Sequence, residues 1–259
     1  MEDGSIINPR SSILGLGVLM GGGLFITGTD TGVGKTFFAC GLAALLKEYG
    51  YRVGVMKPAE TGCDKGEGKL MPQDAAALKE ASACELPLET ICPYQFREPL
   101  APSVAAEREG VRIDIDRLID VYGEISAAHE VTIVEGAGGL LVPVLPSYTY
   151  ADFAKVLKLP LIVVAANKLG MLNHLLLTLE HAGCKGLSVL GYVLNQLEHQ
   201  LSLAAETNRE ALVSLTGVPC VGELPYIQRS ETGNMALADW FEGRLEIRLL
   251  GSVLNHGNR

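Results

Sequence analysis

An apolar run, Leu24-Phe25-Ile26-Thr27, passes directly into Gly28-Thr-Asp-Thr-Gly-Val-Gly-Lys-Thr36, and a helix-period stretch follows to Tyr49, with Gly50 as its stop. A strand, a glycine-rich turn and a helix in immediate succession leave few folds open. The backbone N–H groups of such a turn and the helix N-terminus together favour an anion. Lys35 adds a mobile positive charge, and the Thr36 hydroxyl suits Mg²⁺. A plain strand-to-helix turn would accept glycine but has no need of a Lys-Thr pair. The spacing is unusual, because Gly28 and Gly34 enclose five residues where the common phosphate loop has four. A second form of the loop carries an extra lysine at its start, and this chain has Asp30 there.

Apolar runs alternate with helical periodicity through the remainder of the chain, the mark of βαβ units. Strands are expected at Leu24–Thr27, Arg52–Lys57 (stopped by Pro58), Val131–Val134, Leu161–Ala165 and Val189–Leu194, with a last one at Cys220–Gly222. Ile115, Leu118, Ile119, Tyr122 and Ile125 share one helical face behind an N-capping Asp114, and another helix is expected around Asn173 to His181. The segment 62–70 reads as a mobile, exposed loop. Continuous apolar strands imply a mostly parallel central sheet with helices on both faces, a three-layer α/β sandwich in a single domain. Such sheets bind ligands at the carboxyl ends of their strands. The polar segments 28–36, 57–62, 135–139, 167–173 and Asn195 each begin where an expected strand ends.

Three residues carry candidate chemistry beyond the loop. Glu135 follows an apolar strand, where it can hold Mg²⁺ or simply cap a turn. Asp74, in Pro-Gln-Asp-Ala, can serve the same metal or act only as a helix-start acid. Lys57 ends a strand, either for solubility or to neutralise charge on a transferring phosphoryl group. Of the five histidines, His174 is placed near a site and the others at the surface.

The 259-residue chain is 48% hydrophobic, enough for a sizeable core, and its net charge of -9 with no Lys/Arg cluster argues against nucleic acid as a partner. Six cysteines without a C-x-x-C pair suggest neither a zinc site nor a disulfide framework, and a reducing, cytoplasmic setting fits. Residues 13–20 after Arg10 weakly mimic a secretory signal. The preferred reading takes residues 1–22 as a disordered or non-native extension, with Met20 a candidate start, and residues 23–259 as the single functional domain.

The ordered segments TGTDTGVGKT, KPAETG, QDA, EPLAPS, VEGAGG, KLGxxNH, GYVLN and GELPY resemble the dethiobiotin synthetase family, from about Leu24 to about Tyr226. The resemblance implies a P-loop NTPase-like fold. It also implies ATP-dependent closure of a ureido ring on 7,8-diaminononanoate with CO₂, Mg²⁺ as cofactor, a homodimer, and no membrane partner. By motif match, Lys35 and Lys57 would be catalytic, and Thr36, Asp74 and Glu135 would hold the metal. Gly32, Val33, Gly34, Lys35, Thr36 and Phe37, with Asp74, Glu135, Gly136, Ala137 and Gly138, would line the nucleotide and carbamate region. Asn195, Leu224, Pro225 and Tyr226 would hold the purine. Thr31, Thr61 and Asn173 would meet the diamine, Asn173 from the neighbouring subunit. Gly32 departs from members that carry Glu there, and Thr61 from those with Ser. A corrinoid-type amidating ligase and a partitioning-type switch ATPase are the alternatives.

Overall fold

The computed structural model describes residues 22–66, 68–228 and 236–254, so the expectation for the extension falls outside them except at Gly22. Gly22 is not part of an appended segment: it opens the first strand, β1 (Gly22–Gly28), and pairs with Val131. The glycine turn leads into α1 (Lys35–Glu48), whose C-cap is Tyr49 and whose following residue, Gly50, takes φ 82°. Phe38, Leu42, Leu45 and Leu46 of α1 are wholly buried, each stabilising the fold by about 1.5–3 kcal/mol. Next come β2 (Val53–Met56) and β3 (Ala59–Thr61). The segment expected to be a mobile loop instead pairs with itself, as β4 (Asp64–Gly66) against β5 (Lys69–Met71), antiparallel. Gly68 takes φ 89° at its turn and Asp64 and Lys69 are exposed, so polarity there marks a surface hairpin.

Helices α2 (Gln73–Ser82) and α3 (Leu88–Ile91), strand β6 (Tyr94–Phe96) and helix α4 (Pro102–Glu109) follow. Helix α5 (Ile115–Ala128) starts at Asp114, whose Oδ1 accepts from the N–H of Asp116 at 3.0 Å and of Arg117 at 3.3 Å. Its expected face is the buried one: Leu118 and Ile125 are fully enclosed, with Ile115, Ile119 and Tyr122 packed beside them.

Strand β7 runs over Val131–Gly139 and so passes beyond Val134, where its apolar stretch ends. The pairing of Ile26 with Glu135 and, after a bulge, of Gly28 with Gly139 carries it on. Glu135 therefore lies within a central strand and not in a loop after it. A short hairpin of β8 (Pro143–Leu145) and β9 (Tyr148–Thr149) precedes α6 (Tyr150–Val156). The remaining units are β10 (Leu161–Ala166), α7 (Met171–Cys184), β11 (Val189–Asn195), α8 (Leu203–Leu215), β12 (Cys220–Leu224), α9 (Leu237–Phe241) and α10 (Arg248–Leu254). Helix α7 is longer at both ends than its sequence signal, and β12 continues to Leu224.

Six strands form one all-parallel sheet in the order β12–β11–β10–β1–β7–β2. Alternate residues of β1 enter opposite cores: Leu24 and Ile26 face α1, α2 and α9, while Phe25 faces α5 and α6. A third cluster joins Val163 and Ala165 of β10 to Met171 and Leu175 of α7. The architecture is a single α/β three-layer sandwich, and the carboxyl ends of all six strands open on one edge. Among the described residues no helix is long and apolar enough to cross a membrane.

Candidate active site

At the centre of that edge the turn between β1 and α1 places Gly32 at an exposed crest with φ 75° and Gly34 at φ 92°, a left-handed conformation that glycine adopts without strain. A Cβ at Gly34 would stand 2.0 Å from Asn195 Nδ2, so close approach as well as backbone angle demands glycine. The Asn195 amide donates to Val33 O at 2.9 Å and ties the end of β11 to the turn. Lys35 is 6% exposed and donates to Asp30 O at 3.1 Å. Burial, then repulsion from Lys57, lowers its ammonium to about 8.

Lys57, at the end of β2, is 2% exposed and donates to Glu135 Oε1 at 2.6 Å and to Asp74 Oδ2 at 2.7 Å. Burial works against its charge, but the two carboxylates outweigh burial and hold the ammonium well above its usual range. Thr36 donates its hydroxyl to the same Glu135 Oε1 at 2.8 Å. For Asp74 burial again opposes the charge, while Lys57 and hydrogen bonds from Lys57 and Thr36 prevail and lower its carboxyl. The solubility role weighed for Lys57 is thereby ruled out, since the side chain is enclosed. Lys35, Lys57, Asp74 and Glu135 form one cluster, two charges of each sign.

Glu135 is wholly enclosed, and its second oxygen, Oε2, has no hydrogen-bond partner. An unpartnered carboxylate oxygen in a buried site costs free energy that a cation would recover. Together with Asp74 and the Thr36 hydroxyl it offers hard oxygen donors, the set Mg²⁺ takes, and Mg²⁺ completes its shell with water and substrate phosphate. The residues present therefore fit the metal.

The other expected residues lie at varied distances from this cluster. Gly136, Ala137 and Gly138 continue β7 beside the turn, and a Cβ on Gly138 would lie 3.4 Å from Thr31 Oγ1, so the exposed Thr31 borders that strand end. Thr61 is half-buried at the end of β3. Phe37 turns away: its ring packs on Trp240 and Phe241, with centroids 5.3 and 5.2 Å apart, leaving only its backbone for a phosphate. Asn173 and His174 are exposed on α7, and neither has a side-chain contact with the charged cluster.

Beyond Asn195 a cleft of about 360 Å³ is lined by Leu224, Pro225 and Tyr226, by Asn167 from the expected strand-end segment 167–173, and by Gln196 and His199, which the sequence reading did not place at a site. Asn195 is not among the lining residues; its neighbour Gln196 is. Gln196 donates Nε2 to Glu198 O and Gln200 O, which leaves its Oε1 buried without a partner. His199 stacks edge-on with Tyr226 at 5.8 Å. A histidine after a strand-end asparagine carried no spacing signal, so only the fold reveals it. Asn167 is held by Asn208 at 2.9 Å and itself donates to Ala205 O at 3.0 Å.

Glu60 was also missed. It is 6% exposed, and its two oxygens accept from the backbone N–H of Asp74 at 2.9 Å and of Ala75 at 3.0 Å. Burial raises its carboxyl despite those bonds.

Comparison with known proteins bears on the family of the chain. The AAA domain family profile matches residues 22–233. An ATP-dependent dethiobiotin synthetase BioD of Bacillus licheniformis is 44% identical over 207 residues, covering 80% of this chain and 86% of that protein. One from Bacillus cereus (strain G9842) is 39% identical over 238 residues, covering 91% and 96%. A ParA family ATPase from Chlorobium tepidum superposes with a TM-score of 0.51 at 17% identity, covering 90% of this chain and 97% of that one, which speaks for the fold alone. With a buried Lys57–Glu135 pair and the part-buried Asp74 beside its phosphate loop, and relatives of this identity along four-fifths of its length, the chain belongs to the ATP-dependent dethiobiotin synthetase family.

Proposed function

We propose that the protein joins CO₂ to 7,8-diaminononanoate and closes the ureido ring of dethiobiotin, converting ATP to ADP and phosphate. The observation that carries this reading is Lys57, a second buried ammonium held between Asp74 and Glu135 next to the phosphate loop. Binding a phosphate needs only Lys35 and the turn. Stabilising a phosphorylated carbamate needs charge on the far side of the γ-phosphate as well.

In this scheme one amine of the substrate takes up CO₂ as a carbamate, and a carbamate oxygen attacks the γ-phosphorus with loss of ADP. The second amine then attacks the carbonyl carbon of the mixed anhydride, and phosphate leaves as the ring closes. Lys35 and Lys57 hold the γ-phosphate and carbamate oxygens, and gain most where negative charge is shared between them. Thr36, Asp74 and Glu135 would hold Mg²⁺, which when bound neutralises phosphate charge. The backbone of residues 32–37 and 136–138 lines the phosphates. Thr31 and Thr61 meet the diamine from one subunit and Asn173 from the other, so the active form is a homodimer. The purine rests on Leu224, Pro225 and Tyr226. Asn195 keeps Oδ1 and one amide hydrogen for the base edge, and Gln196 Oε1 is an acceptor suited to an exocyclic amine. A cytoplasmic location supplies ATP, and residues 23–259 act as one ligase domain.

The test is incubation of the protein with 7,8-diaminononanoate, bicarbonate, Mg²⁺ and ATP. Dethiobiotin and diamine-stimulated phosphate release are expected in equal amounts. Folded protein that yields neither would end this reading.

A further inference from the structure

Helix α2 begins without a local cap, because residue 72 is Pro and no side chain of its own turn accepts from the first N–H groups. Free N–H groups at a helix start normally find a Ser, Thr, Asp or Asn immediately before them. Here the acceptors come from a different segment. Glu60, on β3, spans both the Asp74 and Ala75 N–H groups, one with each carboxylate oxygen. Three residues earlier in the same segment, Lys57 grips the Asp74 side chain. Segment 57–60 therefore holds Asp74 at two points, its backbone through Glu60 and its carboxylate through Lys57.

We infer that Glu60 is a positioning residue for the ligase reaction: by capping α2 from β3 it fixes where Asp74 stands against Lys57, the metal and the phosphate loop. The inference rests on the function proposed above. Its physical core is independent of that function, since an isolated α2 N-terminus in a buried setting has no other partner for these two donors. Asp74 Oδ2 accepts from Lys57 at 2.7 Å, and Lys57 is itself held by Glu135 at 2.6 Å, so a shift of the helix start pulls Asp74 away from a lysine that stays in place. Displacements of about 1 Å at such a centre cost on the order of 100-fold in rate.

The decisive variants are Glu60→Gln, which keeps the shape but puts an amide hydrogen opposite one N–H donor, and the pair Glu60→Ala and Glu60→Ala/Pro72→Ser. Serine at position 72 supplies a local acceptor for the same turn. In Glu60→Gln, kcat is expected to fall about 10- to 100-fold and the Mg²⁺ concentration for half-maximal rate to rise, with KM for ATP unchanged. Backbone hydrogen exchange at Asp74 and Ala75 should accelerate about five- to tenfold, and Pro72→Ser should return both exchange and kcat toward wild type in the Glu60→Ala background. Wild-type kcat and Mg²⁺ dependence in Glu60→Gln would overturn the inference. So would a lost kcat that the serine restores to exchange protection but not to rate. Should Glu60→Gln fail to fold, the Glu60→Ala pair decides by the same two readouts. If the wild-type protein makes no dethiobiotin, the functional reading fails, while the exchange measurements still report whether Glu60 caps the helix.

Discussion

Lys57 is enclosed so completely that its removal does more than delete the charge proposed for catalysis. Lys57→Ala leaves Glu135, wholly buried, without its counter-ion. Breaking a buried pair in this way costs about 3–5 kcal/mol. ATP affinity should persist through Lys35 and the turn, while turnover falls more than about 100-fold. Added Mg²⁺ takes over the role of cation between the carboxylates, so the thermal midpoint of the variant is expected to rise more on adding Mg²⁺ than that of the wild type. An equal rise in both would remove Mg²⁺ from this carboxylate pair. Lys35 has the opposite problem, since burial and the Lys57 charge bring it down to about 8. A bound phosphate favours its charged form, so ATP binding above that pH takes up a proton, and affinity weakens as pH rises through about 8. For folding, the cost of burying the charged Lys35 is fully present below about 8 and is relieved toward 10.5, so this group adds stability as pH rises. Titration calorimetry in buffers of differing ionisation enthalpy measures the uptake; pH-independent affinity across that range would contradict it.

Helix α5 shows what a local signal is worth on its own. Asp114→Ala removes an acceptor for two N–H groups and is expected to cost about 1 kcal/mol, a fall of about 2–4 °C in melting temperature for a domain of this size, with kcat untouched. Thermal melting beside an activity assay checks both. Such caps, and the apolar runs of the six central strands, could be read directly because each depends on neighbours within a few residues. Lys57 and Glu135 were legible for another reason, since charged side chains toward the carboxyl ends of parallel strands converge on one edge, while Asp74, at the start of α2, was legible only through its motif. Glu60 was not legible, because its role as a cap depends on a strand and a helix start 14 residues apart meeting in space. The true end of β7 was hidden as well, since Glu135 breaks an apolar pattern that the parallel pairing with β1 nevertheless carries through. Phe37 and His199 were hidden in the same way, the first drawn off by Trp240 and the second drawn in by Tyr226.

At the scale of the whole molecule, Asn173 stands on an exposed stretch of α7 with Leu169 at 85% and Leu177 at 59% exposure beside it. If a second subunit covers this surface, sedimentation should give the mass of a dimer at assay concentrations. Asn173→Ala should then raise KM for the diamine about tenfold and leave KM for ATP alone, as expected for a lost hydrogen bond to a charged group. A fully active monomer would exclude the shared site. The order of the sheet sets a different constraint, on the history of the chain. β1 carries the phosphate loop at its end, yet its two neighbours are β7, at residues 131–139, and β10, at 161–166, both made after it. During synthesis Leu24, Phe25 and Ile26 therefore wait, without their sheet neighbours, until residues 131–139 emerge. Pairings this distant in sequence fold slowly and leave apolar strands open to one another in the meantime. The segment that leads into the phosphate loop is thus left with its apolar edges uncovered while the ribosome is still at work.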